Sequence, residues 1–275
     1  MRIPRLITDV SADPFAGLSW KTVDVEICSA DPAARVCLTD IEVPASWSYA
    51  AAETFARYYI RRAGVPVALM KVKESDVPSW LWRSVADTAA LQALPEDQRT
   101  TQETSARQVF LRIAGAWTYW GLKAGYFDHE VDARAFHDEI AALLARQVMA
   151  PNSPQWFNTG LHWAYGMAGT AQGHFCGNIE TGEIEKSNNA YERPQLHACF
   201  LHGVKDELVN EGGIMHLFER EARVFKFGSG AGANLSAVRG AGEELSGGAV
   251  SMGLMRFLSI GDKAAGAIQS GGLPR

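Results

Sequence analysis

Hydrophobic and polar positions alternate over Trp20 to Ile27 (WKTVDVEI) and again over Val36 to Val43, and both runs are rich in β-branched residues. A period of two predicts half-buried strands, and Asp31-Pro32 between the runs predicts a turn. From Trp47 the period lengthens. Ala51 to Arg62 predicts a helix stopped by Gly64 and Pro66, and Val77 to Trp82 a short helical piece with proline in its first turn. Thr104 to Lys123 predicts a longer helix with Val109, Ile113, Trp117 and Trp120 near one face. After Gly125, Asp132 to Val148 predicts another, carrying Phe136, Ile140, Leu143 and Leu144. Residues 1–46 therefore read as a β-rich segment and residues 47–150 as a helical N-terminal domain.

The pattern shifts at Pro151, where a third region, residues 151–275, begins. Asn152 to Gly160 has the composition of a loop, and residues 166–194 read as a long polar connection. His197 to Val204 (HACFLHGV) is a short apolar run that predicts a buried strand. Helices are expected from Asp206 to Phe225, striped by Ile214, Leu217, Phe218, Val224 and Phe225, and from Met252 to Ile268. Between them Asn234 to Arg239 reads as a strand. More than half of the 26 glycines fall between Gly203 and Gly272. Such density points to backbone in unusual conformations or to a ligand lying close against the chain.

Composition narrows the class. The 275 residues are 47% hydrophobic and 21% charged, enough for a core and far from a disordered chain. A net charge of −5 is the wrong sign for a bulk nucleic-acid binder. No apolar run approaches the ~18 residues of a membrane span, and the first residues carry no signal-like apolar stretch, so a cytoplasmic protein is expected. Four cysteines, at 28, 37, 176 and 199, form no C-x-x-C pair. His174, His197 and His202 have no metal-ligand spacing, so no metal site is expected.

Three features carry candidate chemistry. Gly228-Ser-Gly-Ala-Gly-Ala233 fits the relaxed dinucleotide pattern G-x-G-x-x-A, but that fingerprint must open a helix, and here a strand is expected to follow. Cys199, in the apolar strand, is either an inert small hydrophobe or a redox thiol. Cys28, Cys37 and Cys176 take the inert reading. Arg239, just past the glycine run, has the guanidinium fork that holds a phosphate, whereas Lys226 and Arg256 read singly as solvated charges.

Taken in order, Ala150-Pro-Asn-Ser-Pro-Gln-Trp-Phe-Asn-Thr-Gly160, Arg193-Pro-Gln-Leu-His-Ala-Cys-Phe200, Phe225-Lys-Phe-Gly-Ser-Gly-Ala-Gly-Ala-Asn-Leu-Ser236, Leu245-Ser-Gly-Gly248 and Gln269-Ser-Gly-Gly272 resemble the adenosylcobalamin-dependent (class II) ribonucleotide reductases. Val77 to Arg83 and Ala116 to Gly121 resemble the helical N-terminal domain of the bacterial members. The resemblance implies an α/β fold: a helical domain followed by the opening strands of a ten-stranded α/β barrel. It implies reduction of ribonucleotides, as diphosphates, to 2′-deoxyribonucleotides by a cobalamin-initiated thiyl radical. Cys199 matches the first member of the redox cysteine pair. Ser153, the Ala198-Cys199 backbone and Gly230 match substrate-holding positions. Asp206, Glu207, Lys226, Arg239 and Ser246 match the region that binds a deoxynucleoside triphosphate effector, and the helices expected after the Cys199 strand and after Gly248 match those that pair two subunits.

The departures shape the expectation further. Members of that family are several times longer, and their radical cysteine in N-x-C-x-E, second redox cysteine and most of the adenosylcobalamin surface come from later strands. None of these occurs here, and the chain reads Leu273-Pro-Arg275 where Thr and Arg residues are usual. The expectation is a truncated or interrupted chain, or one piece of a split enzyme that a second chain completes, inactive by itself. Two rivals stand beside it: a non-catalytic nucleotide-binding or interaction module of the same fold, and a flavin or nicotinamide enzyme resting on the glycine run. A helix after Gly232 would favour the latter, a strand the other readings.

Overall fold

The computed structural model describes residues 1–10, 12–27, 36–171, 173–178, 181–226, 228–270 and 273–274. The expected Asp31-Pro32 turn, Cys28 and the end of the Gln269 to Gly272 motif lie outside the described residues. The chain divides into two compact units, residues 1–151 with 155–194, and residues 152–154 with 195–275.

In the first unit β1 (Trp20–Ile27) and β2 (Val36–Pro44) pair antiparallel, from Trp20 opposite Pro44 to Ile27 opposite Val36, with an irregularity between Val23 and Val25. Val25, Leu38, Ile41 and Val43 are buried from this ribbon. Helix α1 (Tyr49–Tyr58) starts where the Ser48 hydroxyl accepts the Ala51 amide. The stretch that follows is not wholly helical. It holds β3 (Val65–Pro66), β4 (Leu69–Lys71), a 3-10 turn at Ser79–Leu81, β5 (Ser84–Ala86), α2 (Thr88–Gln92) and β6 (Thr100–Thr101), with β3 on β6 and β4 on β5. Strands of two or three residues are too short to show a period.

The two long helices form as expected: α3 (Ala106–Lys123), opened by a Ser105/Gln108 capping box, and α4 (Glu130–Ala145). Phe110 of α3 sits in an aromatic cluster with Phe15, Trp47, Phe55 and Trp156, ring centroids 5.8 to 6.2 Å from its own. On α4 the expected stripe is only partly right. Leu144 is buried, but so are small Ala133, Ala141, Ala142 and Ala145, together with Asp138 and Glu139. The two carboxylates face the N-terminal segment: Arg5 pairs with Asp138 at 2.9 Å, and Glu139 accepts from the Thr8 hydroxyl at 2.6 Å and from the Ile7 and Thr8 amides.

Residues 152–160 are not a plain loop. Ser153–Asn158 form a short helix, α5, because proline is tolerated in a first turn where no amide is needed. Gly160, at φ +82°, separates it from α6 (Leu161–Tyr165). A Cβ there would lie 2.1 Å from the Arg112 carbonyl oxygen, so only glycine fits. The buried Arg112 guanidinium donates to the Trp156 and Thr159 carbonyls at 2.9 and 2.6 Å, and pairs with Glu103 at 2.7 Å. The polar connection of 166–194 contains a hairpin, β7 (Phe175–Gly177) with β8 (Ile184–Lys186).

The second unit is built on β9 (Cys199–Gly203), α7 (Ile214–Lys226) and β10 (Gly230–Asn234), a parallel βαβ arrangement, followed by α8 (Met255–Ala267), β11 (Gln269–Ser270) and β12 (Leu273–Pro274). Val204, Ile214 and Leu217 form its buried cluster, with Phe218, Leu235, Val238 and Phe257 packed on it. Helix α7 begins eight residues later than the expected Asp206, at Ile214, the first residue of its apolar stripe. Residues 206–213 instead form a loop whose Glu207 and Leu208 carbonyls accept the Ile214 and Met215 amides at 2.8 and 2.9 Å, with the helix-averse Gly212-Gly213 pair at the junction. The expected strand at Asn234 to Arg239 is also misplaced: the strand is the glycine run itself, and Leu235 to Val238 form a turn closed by Val238 N–H to Leu235 carbonyl, 3.0 Å. Among the described residues the fold is mixed α/β and no closed barrel is present.

Candidate functional site at the entry of the parallel strand pair

Parallel pairing sets Gly230 opposite Cys199, Ala231 opposite Phe200 and Gly232 opposite Leu201. Neighbouring strands lie about 4.8 Å apart, so Cys199 and Gly230 are immediate neighbours. The Gly230 amide donates to the Ala198 carbonyl at 2.6 Å. A Cβ on Gly230 would meet nothing nearer than that carbonyl, at 3.6 Å, so the backbone there is open to close approach from outside. Cys199 is a free, exposed thiol at the first residue of β9. Along β9, Cys199, Leu201 and Gly203 are exposed, while Phe200 and His202 on the other face are partly covered. Burial beside Arg220 of α7 holds the His202 imidazole below its ordinary pKa, which marks that face as the one under the helix. Ser153 is half-buried, and its neighbour Asn152 donates to the Leu196 carbonyl at 3.0 Å, three residues before Cys199. Cys199, Ala198 and Gly230 thus meet directly, with the Asn152-Ser153 segment tied to the chain that leads into β9.

At the other end of the strands, about 13 Å along β9, Arg239 and Asp206 form an ion pair at 2.6 Å. The Arg239 amide also donates to Asp206, at 3.3 Å, and its Nη1 donates to the Glu244 carbonyl, at 2.9 Å. The side-chain bond from Arg239 holds the Asp206 carboxyl below its ordinary pKa. Glu207 accepts the Leu208 amide, 3.0 Å. Ser246 is exposed in the turn between Glu244 and Val250, whose bridge brings it near the Glu244 carbonyl that Arg239 holds. Lys226 is not brought to this group: it ends α7, about 18 Å along the helix axis from Ile214.

Two residues that the sequence reading passed over complete the entry end. Gln195 and Ser229 are both buried, and Gln195 donates to the Ser229 hydroxyl, which in turn donates to the His197 carbonyl at 2.6 Å. Both stand inside quoted motifs, Arg-Pro-Gln-Leu-His-Ala-Cys-Phe and Gly-Ser-Gly, but neither has chemistry that singles it out from a line of residues.

The glycine run opens a strand and not a helix, which overturns the flavin or nicotinamide reading. Comparison with known proteins supplies the family. The family model for class II vitamin B12-dependent ribonucleotide reductase matches residues 21–147, and the ribonucleotide reductase barrel-domain model matches residues 197–275. Vitamin B12-dependent ribonucleotide reductases of Bradyrhizobium diazoefficiens and Agrobacterium fabrum are 56% and 57% identical over all 275 residues. The chain belongs to the class II vitamin B12-dependent ribonucleotide reductase family. That of Rhodopirellula baltica is 34% identical over 97% of the chain. The chain spans 22% of the length of each of these reductases. Within the barrel-domain match lie Ala198, Cys199, Gly230 and the Asp206–Arg239 pair; Ser153 falls between the two matches.

Proposed function

We propose that this chain contributes a helical N-terminal domain and the first part of a ten-stranded catalytic barrel to an adenosylcobalamin-dependent ribonucleotide reductase of the cytoplasm, acting on ribonucleoside diphosphates. Residues 1–46 are its β-rich lead, 47–150 its helical domain and 151–275 its barrel portion; the family matches, to residues 21–147 and 197–275, support a first portion distinct from a barrel portion, with the join between 147 and 197. Replacing a ribose 2′-hydroxyl by hydrogen releases water and consumes two electrons and two protons. Oxidation of two thiols to one disulfide supplies both. Cys199 is one of the two thiols, and the open Gly230 backbone beside it lets the ribonucleotide lie against the chain, with Ser153 and the Ala198-Cys199 peptide holding it. Adenosylcobalamin, when bound, supplies radical initiation. Most of its binding surface lies outside these residues. Asp206, Glu207, Arg239 and Ser246 receive a deoxynucleoside triphosphate effector, in an assembly of two subunits.

The observation that carries this reading is the register that sets a free thiol opposite an open glycine in a chain of this family. Its test is a graft: the chain replaces the corresponding segment of the Agrobacterium fabrum reductase, and adenosylcobalamin-dependent reduction of a ribonucleoside diphosphate is measured. The graft should turn over and its Cys199→Ser variant should lose at least 1000-fold, about 4 kcal/mol of transition-state stabilisation. Turnover that survives Cys199→Ser would refute the assignment.

A further inference from the structure

We infer that Gln195 is a positioning residue: its buried side-chain amide locks the chain entering β9 to the chain entering β10, and so holds the Ala198-Cys199 peptide in register with Gly230. The inference rests on reading Cys199, Ala198 and Gly230 as one substrate-facing group.

The bonds form a closed set. Gln195 Oε1 accepts the His197 amide, and Nε2 donates both to the His197 carbonyl, at 2.8 Å, and to the Ser229 hydroxyl. Ser229 completes the ring by donating to the same His197 carbonyl at 2.6 Å, one residue before the Gly230 amide reaches Ala198. Gln195 is 8% exposed and Ser229 fully buried. Water is therefore a poor substitute partner, and removal of either side chain leaves buried polar groups unmade. A side chain that served only local packing would bond one strand. This amide instead curls over its own chain and crosses to the neighbouring one, at the point where thiol and glycine must align. The first ladder bond after the bracket is the Gly230–Ala198 bond, so slack in the bracket appears there first.

Amide hydrogen exchange, read by mass spectrometry with residue-resolving fragmentation on the 275-residue chain at submicromolar loading, tests the bracket. In Gln195→Leu and in the milder Ser229→Ala, exchange at Gly230 and His197 should quicken at least tenfold. The Leu217 amide, bonded to the Gly213 carbonyl in α7, should not change. At Gly230 Gln195→Glu should quicken exchange at neutral pH, where its carboxylate still accepts the His197 amide but donates nothing, and return toward the parent rate, compared at each pH, as the carboxyl protonates and regains a donor. Unchanged exchange at Gly230 in both Gln195→Leu and Ser229→Ala overturns the bracket, and so does equal quickening at Leu217, which marks general destabilisation. In the grafted reductase Gln195→Leu should lower kcat at least tenfold. Unchanged kcat, with Cys199→Ser inactive, overturns the positioning role alone; turnover surviving Cys199→Ser overturns the reading beneath it while leaving the exchange result standing.

Discussion

Arg239 was expected as a phosphate fork, and the structure shows it engaged: Nε on Asp206, Nη1 on the Glu244 carbonyl. In the proposed effector site a phosphate would meet an arginine already aimed and held by a carboxylate, which costs affinity for the exchange but removes the entropy of ordering a long side chain. The pair also sets a titration. Asp206 has its pKa lowered, first by the side-chain hydrogen bond from Arg239, so its contribution to stability is complete above the ordinary carboxylate value and is lost as pH falls through the lower folded one. Carboxyl NMR titration should place Asp206 below the ~3.9 of a free aspartate, and Arg239→Ala should return it there. The same substitution should weaken deoxynucleoside triphosphate binding about tenfold or more by calorimetry, the size of one charge-assisted hydrogen bond. An Asp206 midpoint that ignores the loss of Arg239 contradicts the pairing, and unchanged nucleotide affinity removes Arg239 from the effector site.

Elements were legible where periodicity was long and illegible where bonding, not hydrophobicity, decided the structure. The β1/β2 ribbon, α3 and α4 follow from alternation and apolar stripes. The loop over 206–213 does not, because the carbonyls of Glu207 and Leu208, invisible in a hydrophobic pattern, accept the first amides of a helix that begins only with its stripe at Ile214. Helix α5 hid behind the loop-like composition of Asn152-Ser-Pro, and β10 behind its own glycines. Cys199, Gly230 and Arg239 stood out by residue type; Gln195 and Ser229 did not, since their roles depend on two strands meeting. The N-terminal segment against α4 is the same kind of case, with polar groups doing what an apolar stripe was expected to do. Burial pushes the Asp138 carboxyl up, but hydrogen bonds from His137 and Arg5 and the charge of Arg134 hold it below its ordinary value. Glu139 is likewise pushed up by burial and held down, net, by the Thr8 hydroxyl and the amides of residues 6–8. Both shifts are downward, so the attachment is complete above the ordinary carboxylate range and weakens as pH falls through the lowered values. Exchange protection of the Ile7 and Thr8 amides should therefore persist at pH 5 and fall below about pH 4, and in Glu139→Gln it should be weaker already at pH 5 and change less with pH. Protection unchanged down to pH 2 would show that the carboxylates do not hold the segment.

At the scale of the whole molecule the two units differ in how much apolar surface they cover. The first encloses an aromatic cluster and many fully buried aliphatic side chains. The second buries only Val204, Ile214 and Leu217 in its cluster, and none of the α8 residues is buried. Leu201 on β9 is 91% exposed, Met255 73% and Met252 60%, with Leu258 and Ile260 also open. Parallel strands are ordinarily covered on both faces, yet here the Cys199–Leu201 face lies open while α7 lines the other. Both outer edges of the β9/β10 pair are also unpaired among the described strands, and such edges recruit other strands. Leu201 on the sheet and Met252, Met255, Leu258 and Ile260 in and just before α8 add exposed apolar side chains to those open edges. The chain should therefore self-associate at micromolar concentration, with a sedimentation coefficient that rises with loading and a dye-binding signal typical of exposed apolar surface. Leu201→Lys and Met255→Lys, each at a position already facing solvent, should shift the distribution toward monomer without lowering the thermal midpoint of the first unit. A parent that sediments as a clean monomer across that range would mean the second unit tolerates an open sheet face by itself. Joined to the remaining reductase in the graft, the same two lysines should instead impair folding, because Leu201 then lies where further barrel strands must pack.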